Sequence, residues 1–278
     1  MNLFILEKKL LSSLLYFLTV ILGLLFLFPL FYIVITSLKT EGDVMRNLLF
    51  FPTVLHWENY TELLQRFDFG SYATSSLKVS VLSVIGALFS CSMAAYVFAR
   101  MNFPGKNLLF VLLMSTMMIP GQVTLIPQFL ILSKLNLMNT HFVLYLHQFL
   151  APAFGVFMLR QFFMTLPLDL EDAARIDGCG TFRIYWQIYL PSAKPTLATL
   201  AIFTFMDAWN DLLRPVIYLN DSRKYTLTVG MALLKTPSTT TWVLMMCGAV
   251  ISITPLLVMY IFAQKYFVKG VVTSGLKG

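Results

Sequence analysis

Charged residues are scarce in this chain, and their scarcity limits the classes of protein to which it can belong. Asp, Glu, Lys and Arg make up 12% of its 278 residues, whereas a soluble domain averages roughly 25%. Hydrophobic residues account for 58% and are spread along the whole length, so no soluble domain of useful size can be separated. The composition excludes an ordinary soluble protein and indicates one integral membrane domain over residues 1–278.

Histidine, cysteine and nucleotide-binding motifs are also sparse. The three cysteines lie far apart without a Cys-x-x-Cys pair, so neither a metal site nor a redox pair is indicated. His56, His141 and His147 are isolated from other ligand types and are interpreted as structural. The sequence has no Gly-x-x-x-x-Gly-Lys-Ser/Thr phosphate-binding loop. We therefore expect no metal, no cofactor and no ATP hydrolysis in this chain.

Long apolar segments take up most of the sequence. A helix needs about 20 predominantly apolar residues to cross the hydrocarbon core of a membrane. The segments that meet this test are residues 13–37, 74–99, 108–132, 141–163, 196–219 and 242–266. The first is longer than the core of a signal peptide and is expected to remain as a membrane helix. The sequence thus predicts an all-α, polytopic membrane protein with six transmembrane helices.

Lys and Arg residues indicate the orientation of these helices. The formal charge of +7 comes from residues scattered singly between apolar segments, which is typical of topology signals. An even number of spans puts both termini on one side of the membrane. The modest excess of Lys and Arg in the loops on that side favours the cytoplasm for both termini.

The loop between the fourth and fifth predicted spans, residues 166–191, has the pattern of a helix, a turn and a second helix. Glu171 and Asp172 lie where the first helix would begin, and acidic groups there complement the helix dipole. Gly178 predicts a left-handed turn after that helix, and Pro191 is expected to end the second one. The predicted topology places this loop on the cytoplasmic face.

This loop resembles the EAA loop of permease subunits in binding-protein-dependent ABC importers. The family pattern reads Glu-Ala-Ala, three residues, Gly, nine residues, Ile, one residue and Leu-Pro. The matching positions here are Asp172, Ala173, Ala174, Gly178, Ile188, Leu190 and Pro191. The sequence departs from the pattern by having Asp172 for Glu, with Glu171 beside it, so the reach of the acidic contact is shortened or displaced.

The resemblance implies that the loop docks on a cytoplasmic ATPase subunit and transmits its nucleotide-driven closure to the membrane helices. Ala173 and Ala174 are small enough to let another surface approach closely, and Gly178 permits the turn. Arg175 and Asp177 offer charged contacts at the rim. An ordinary loop helix without a partner is the alternative.

The resemblance also implies an assembly and a class of substrate. The expected partners are a second, distinct permease, two copies of an ATPase subunit that hold ATP and Mg, and an extracytoplasmic solute-binding protein. The expected location is the cytoplasmic (inner) membrane of a bacterium or archaeon. Motifs at residues 29–32, 120–127, 208–210 and 269–278 are similar to the carbohydrate-type subfamily of maltose and oligosaccharide importers. We therefore expect a transporter subunit for a carbohydrate, not an enzyme.

Two prolines in the third predicted span, Pro120 and Pro127, identify the first candidates on the translocation path. Each proline removes a backbone hydrogen bond that a neighbouring group or water must replace. We expect a broken helix that lines or gates the path, with Gln122 and Thr124 beside it. A static kink in a packed bundle is the alternative.

Polar residues in the fifth predicted span form the second group of candidates: Asp207, Trp209, Asn210, Asp211 and Arg214. Asp207 would lie near the bilayer centre, where a carboxylate costs roughly 3 kcal/mol unless it is paired or hydrated. The spacing of three and four residues puts four of them on one helix face: Asp207, Asn210, Asp211 and Arg214. Arg214 can pair there with Asp211. Trp209 is placed to stack on a sugar ring. A structural polar seam with the second permease is the alternative.

Two other functions can be weighed against a sugar importer. An intramembrane aspartyl enzyme would use Asp207 and Asp211 as its acid pair, but such pairs usually converge from two helices, and these residues share one. An importer of a solute such as glycerol phosphate or a polyamine would use the same machinery. A basic cavity would favour glycerol phosphate and an acidic cavity would favour a polyamine, so the charge of the cavity would distinguish this second alternative from a sugar importer.

Overall fold

The computed structural model describes residues 2–46, 51–52, 54–234 and 241–275, with side chains among them from residue 11 to residue 261 and at residue 264. The α-helices are α1 (Asn2–Ser37), α2 (Glu41–Arg46), α3 (Glu58–Arg66), α4 (Phe69–Arg100), α5 (Lys106–Ser115), α6 (Gly121–Lys134), α7 (Phe142–Tyr145), α8 (Ala153–Met164), α9 (Asp169–Ile176), α10 (Thr181–Ile184), α11 (Leu190–Ser192), α12 (Lys194–Asn210), α13 (Leu213–Tyr218), α14 (Leu227–Leu233) and α15 (Trp242–Gly275). Short 3₁₀ turns lie at Thr116–Met118, Leu146–Leu150 and Ser222–Lys224, and a π turn lies at Tyr185–Tyr189. All regular elements in this part of the chain are helical, so the predicted all-α class is confirmed.

Four helical segments of the described chain are long and apolar enough to cross a membrane: Leu11–Ser37, Phe69–Arg100, Phe142–Met164 and Trp242–Ile261. A fifth is obtained if Lys106–Met118 and Gly121–Lys134, which are bent by 103° at their junction, are counted as one span. The predicted number of six is therefore not confirmed. The last residues of the 269–278 motif, 276–278, lie outside the described part of the chain.

Proline accounts for the interruption of the third predicted span, residues 108–132. The chain leaves the helical conformation at Ile119, whose φ of −88° and ψ of 117° are extended. The next residue is Pro120, and a proline disfavours the helical conformation in the residue before it. Pro127 lies inside α6. The structure therefore breaks this span at the first of the two prolines.

The fifth predicted span, residues 196–219, is also divided. Helix α12 ends at Asn210, and the backbone is extended at Asp211, with φ of −68° and ψ of 121°. Pro215 follows four residues later, and in a continuous helix its ring would clash with the carbonyl group of Asp211. Residues 196–219 therefore do not form one continuous helix, and the single helix face predicted for this span is interrupted at Asp211.

The chain forms two compact units, Met1–Phe67 with Leu233–Ile253, and Asp68–Ala232 with Thr254–Gly278. In the first unit, the carboxylate oxygens of Glu41 accept hydrogen bonds from the backbone N–H groups of Trp242 and Val243 at 2.9 and 3.1 Å. This carboxylate satisfies two donors at the start of α15 and complements the helix dipole.

In the second unit, α8 and α12 pack against α4. The buried face of α4 carries small side chains, among them Ser80, Ser83 and Cys91. Gly155 of α8 faces this helix closely, since a Cβ atom added there would lie 2.6 Å from the Cys91 sulfur. Small residues let membrane helices approach closely. The three helices provide the support for the loop that follows α8.

Candidate functional site

The coupling loop, defined as residues 166–191, contains the predicted turn between two helices. Gly178 has φ of +78° and ends α9 in the left-handed conformation. Its N–H donates to the Arg175 carbonyl at 3.0 Å, and the N–H of Cys179 donates to the Ala174 carbonyl at 2.9 Å. These two bonds form a Schellman motif, in which glycine is favoured because it has no Cβ.

The second half of the loop differs from the prediction. Pro191 does not end the second helix, because the chain continues from α10 through the π turn Tyr185–Tyr189 into α11 and then α12. Pro191 is the second residue of α11, in a first turn where a missing N–H costs little. The coupling loop is therefore connected to α12 by a nearly continuous helical segment.

The two neighbouring acids of the loop have different surroundings. Glu171 is buried, with 6% of its surface exposed. Its carboxylate accepts hydrogen bonds from Arg175 Nη2 at 2.7 Å and from the Tyr189 hydroxyl at 3.0 Å. Asp172 is exposed. Only Asp172, at the position of the family's Glu, remains available for an external contact.

The charge of Glu171 affects both of its partners. Hydrogen bonding to the Glu171 carboxylate raises the pKa of Arg175 above its ordinary value. Burial is the main cause that raises the pKa of Tyr189, and its hydrogen bond to Glu171 adds to the effect. Both groups therefore keep their protons, and their hydrogen bonds to Glu171, throughout the physiological pH range.

Tyr189 connects the loop to the helices behind it. Its ring centroid lies 5.0 Å from that of Tyr96 in α4 and 5.5 Å from that of Phe163 in α8. The Arg100 guanidinium lies 5.0 Å from the Tyr189 ring centroid, and its Nη2 donates to the carbonyl groups of Phe163 and Leu166. A displacement of the loop would therefore act directly on α4 and α8.

Several large apolar side chains of the coupling loop are exposed. Ile176, at the end of α9, is 86% exposed. Phe182 and Trp186 are also exposed, and their rings are stacked with centroids 6.4 Å apart. Exposed large apolar groups that lie close together are typical of a protein interaction surface. Ala173 is exposed on α9, whereas Ala174 is buried, so one of the two predicted small contacts belongs to the interior.

A cavity of about 430 Å³ lies elsewhere in the second unit. Its lining residues are Gly121, Gln122, Thr124, Leu125, Gln128, His147, Asp207, Asp211, Leu213 and Arg214. The breaks described above produce this arrangement, because α6 begins after Pro120 and α13 begins after Asp211. Five of the predicted path residues thus line one cavity, namely Gln122, Thr124, Asp207, Asp211 and Arg214.

Arg214 is at the centre of the charged part of this cavity. Its Nε lies 2.7 Å from Asp211 Oδ2, and its Nη2 lies 3.0 Å from Asp207 Oδ2. Its Nη1 donates to Nε2 of His147 at 2.6 Å. Since a guanidinium has only donors, that histidine nitrogen must accept. The predicted pairing with Asp211 is present, and Arg214 pairs with Asp207 as well.

Three predicted path residues do not line this cavity. Trp209 is buried, with 4% of its surface exposed, and stacks on Phe205 at 5.5 Å, so its ring is not presented to a sugar. Asn210 donates from Nδ2 to the Met206 carbonyl. Pro120 precedes the first residue of α6. The extended backbone at Asp211 ends the single helix face that the prediction assumed.

Two polar side chains that line the cavity were not among the predicted path residues. His147 was interpreted as structural, and Gln128, which accepts a hydrogen bond from the Tyr218 hydroxyl at 3.3 Å, was not considered. His147 is far from Arg214 in the sequence, so no local pattern connects them. Gln128 lies four residues after Thr124 in α6, and that spacing on one helix face was an available signal.

Comparison with known proteins identifies the family. Residues 86–273 match the family described as binding-protein-dependent transport system inner membrane component. The chain belongs to this family. The match includes the whole coupling loop and every residue that lines the cavity. The chain is accordingly a component of an inner membrane transport system that works with a binding protein.

Individual relatives cover nearly all of this permease. The arabinooligosaccharide transport system permease of Halalkalibacterium halodurans is 35% identical, over 90% of this chain and 91% of its own. The sn-glycerol-3-phosphate transport system permease of Yersinia pseudotuberculosis is 31% identical, over 90% and 92%. A chain in the crystal structure of a bacterial ABC transporter that imports the acidic polysaccharide alginate matches with a TM-score of 0.81 and 25% identity, over 94% of this chain and 98% of that one.

Proposed function

We propose that this chain is the transmembrane permease subunit of an ATP-driven importer for a carbohydrate, such as an oligosaccharide, delivered by an extracytoplasmic solute-binding protein. The observation that carries the proposal is membership of the family, together with similarity along nearly the whole chain to a permease named for arabinooligosaccharides. The subunit transports and is not an enzyme. ATP and Mg bind to the partner ATPase.

The coupling loop is the element that docks on this ATPase. Its two sides support the role, since exposed apolar groups such as Ile176 and Phe182 lie on the outside, and Tyr189 is anchored among α4 and α8 on the inside. The residues assigned to coupling are Glu171, Asp172, Ala173, Ala174, Arg175, Asp177, Gly178, Ile188, Leu190 and Pro191. Glu171 acts within the loop, and Asp172 acts on the partner.

The complete importer consists of this chain, a second and distinct permease, two ATPase copies and the solute-binding protein. Both termini of this chain lie in the cytoplasm, on the same side as the coupling loop. Closure of the ATPase dimer on ATP moves the loop and tilts α4, α8 and α12, so that the permease changes from inward-facing to outward-facing.

The cavity favours a neutral substrate over an anionic one. Two carboxylates, Asp207 and Asp211, face the single guanidinium of Arg214, so these three side chains carry a net charge of −1 when ionised. A phosphate ester or a uronate would meet a like charge there, which is unfavourable. The hydroxyl groups of a neutral sugar can instead bond to the amides of Gln122 and Gln128 and to Thr124.

Uptake assays on the complete importer in lipid vesicles test this proposal. We expect ATP-dependent uptake of a labelled neutral oligosaccharide that exceeds uptake of a uronate oligosaccharide or glycerol phosphate by about tenfold or more, a difference of roughly 1.4 kcal/mol. Vesicles without ATP provide the control. Preferential uptake of glycerol phosphate would overturn the substrate assignment, and ATP-independent uptake would overturn the importer itself.

A further inference from the structure

A second cavity, of about 450 Å³, lies in the second unit where the end of α4, the start of α5 and the last turns of α8 come together. Its lining residues are Ala99, Asn102, Phe103, Gly105, Lys106, Asn107, Leu108, Arg160 and Met164. It is close to the coupling loop, because Arg100, next to Ala99, donates to the carbonyl groups of Phe163 and Leu166. The cavity thus lies at the same end of the unit as that loop.

Two cations line this cavity without an acidic partner. Among its described lining residues, Lys106 and Arg160 are positively charged and none is acidic. The sequence itself contains no Asp or Glu between Asp68 and Asp169, so α4, α5, α6 and α8 supply no carboxylate. Like charges that share a partly buried site repel each other unless an anion neutralises them. An anion from outside this part of the chain would therefore be attracted to this cavity.

The geometry leaves donors available for such an anion. Arg160 uses Nε to donate to the Phe98 carbonyl at 3.2 Å, and its guanidinium lies 4.1 Å from the Phe110 ring centroid. This stacking fixes the plane of the guanidinium, and its two Nη groups have no hydrogen bond to the described residues. Lys106 Nζ donates to the Met101 carbonyl at 2.8 Å and has two further N–H donors.

An apolar surface continues from the cavity along α5. Leu108, Leu109 and Leu112 are all exposed on that helix, and Met164 is exposed at the end of α8. Acyl chains would cover this surface in a membrane. Lys106 is the first residue of α5, and therefore lies at one end of the bent pair of helices, Lys106–Met118 and Gly121–Lys134, that can form a span. Basic pockets between the ends of membrane helices are suited to the headgroups of anionic lipids.

We propose that Lys106 and Arg160 form a binding site for the phosphodiester headgroup of an anionic phospholipid. Arg160 holds two phosphate oxygens with its Nη groups, Lys106 neutralises the remaining charge, and the acyl chains lie along the leucines of α5. A free anion would use the same cations but would leave those leucines without a role. The site does not depend on which solute the importer carries.

Native mass spectrometry of the complete importer in detergent, titrated with phosphatidylglycerol or phosphatidylcholine, tests the site. The wild-type importer should bind phosphatidylglycerol in preference. The double variant Lys106→Gln with Arg160→Gln should weaken that binding about tenfold or more, because it removes both basic side chains that attract the anionic headgroup. The control Lys134→Gln with Arg223→Gln removes the same charge elsewhere and should bind as the wild type does.

A second variant separates charge from packing. Arg160→Lys keeps the cation but loses the stacking on Phe110, and it should retain more phosphatidylglycerol binding than Arg160→Gln. Equal binding of the two lipids, or an unchanged double variant, would overturn the proposal. Displacement of the lipid by millimolar inorganic phosphate would reassign the cavity to a free anion. Loss of the ATPase subunits from the lipid-free double variant would reassign it to an acidic segment of a partner.

Discussion

Replacement of Gly178 by Pro should abolish ATP-dependent uptake by the complete importer. Gly178 has φ of +78°, whereas proline is restricted to about −65°. Proline would also remove the N–H that donates to the Arg175 carbonyl, so the turn that aligns α9 with the second half of the coupling loop cannot form. Initial uptake rates and solute-stimulated ATP hydrolysis in reconstituted vesicles measure the effect.

Two matched variants distinguish a failed turn from a failure to fold. Gly180 has φ of −73°, and a Cβ atom added there would have no neighbour within 4 Å, so Gly180→Ala should transport like the wild type. Gly178→Asn should retain most activity, because Asn tolerates the left-handed conformation. Co-purification with the ATPase reports assembly. Normal transport by an assembled Gly178→Pro importer would show that the turn does not couple the subunits.

Replacement of Arg214 by Gln should lower the uptake rate about tenfold or more. The Arg214 and Asp211 side chains are 21% and 16% exposed, so the loss of the guanidinium leaves a largely buried carboxylate without its partner, which is strongly destabilising. Asp207 loses its ion pair as well, although it is more exposed and less affected. Uptake and the melting temperature of the complex should be measured together.

A charge-restoring variant provides the control for Arg214. The change Arg214→Gln makes the net charge of the cluster more negative by one, and the additional change Asp211→Asn returns it to the wild-type value. We expect the double variant to transport better than the single one. If the single variant transports normally, or if the double variant is no better, the charge balance of this cavity has no part in translocation.

Local chemistry allowed the turn of the coupling loop to be predicted. A glycine after a helix specifies a left-handed residue whatever surrounds it, and Gly178 has that conformation. The environments of Glu171 and Asp172 could not be predicted in the same way. Which side of a short helix is buried depends on the residues that pack against it. Glu171 is buried because Tyr189, in a later segment of the loop, donates a hydrogen bond to it.

The charged cavity was predicted in part, because some of its contacts are local in sequence and others depend on packing between distant segments. The pair of Asp211 and Arg214 was predicted from a spacing on one helix face. The pair forms, but across the break in the helix, where Asp211 Oδ1 also accepts a hydrogen bond from the Arg214 backbone N–H. The contact of Arg214 with His147 could not be predicted, because it depends on packing between segments that are distant in sequence. The position of Trp209 was predicted incorrectly. Asp207 and Trp209 both lie in α12, two residues apart and so on nearly opposite faces of that helix, and Trp209 is buried against Phe205.

The most direct test of the account is a photo-crosslink from the coupling loop to the ATPase. A benzophenone amino acid in place of Ile176, which is 86% exposed, should crosslink this chain to the ATPase subunit in the assembled importer. The same probe in place of Met118, which is 83% exposed at the break before α6, should not. A crosslink from position 176 alone is the result we predict. Its absence in an assembled, transporting complex would contradict the assignment of residues 166–191 as the coupling element.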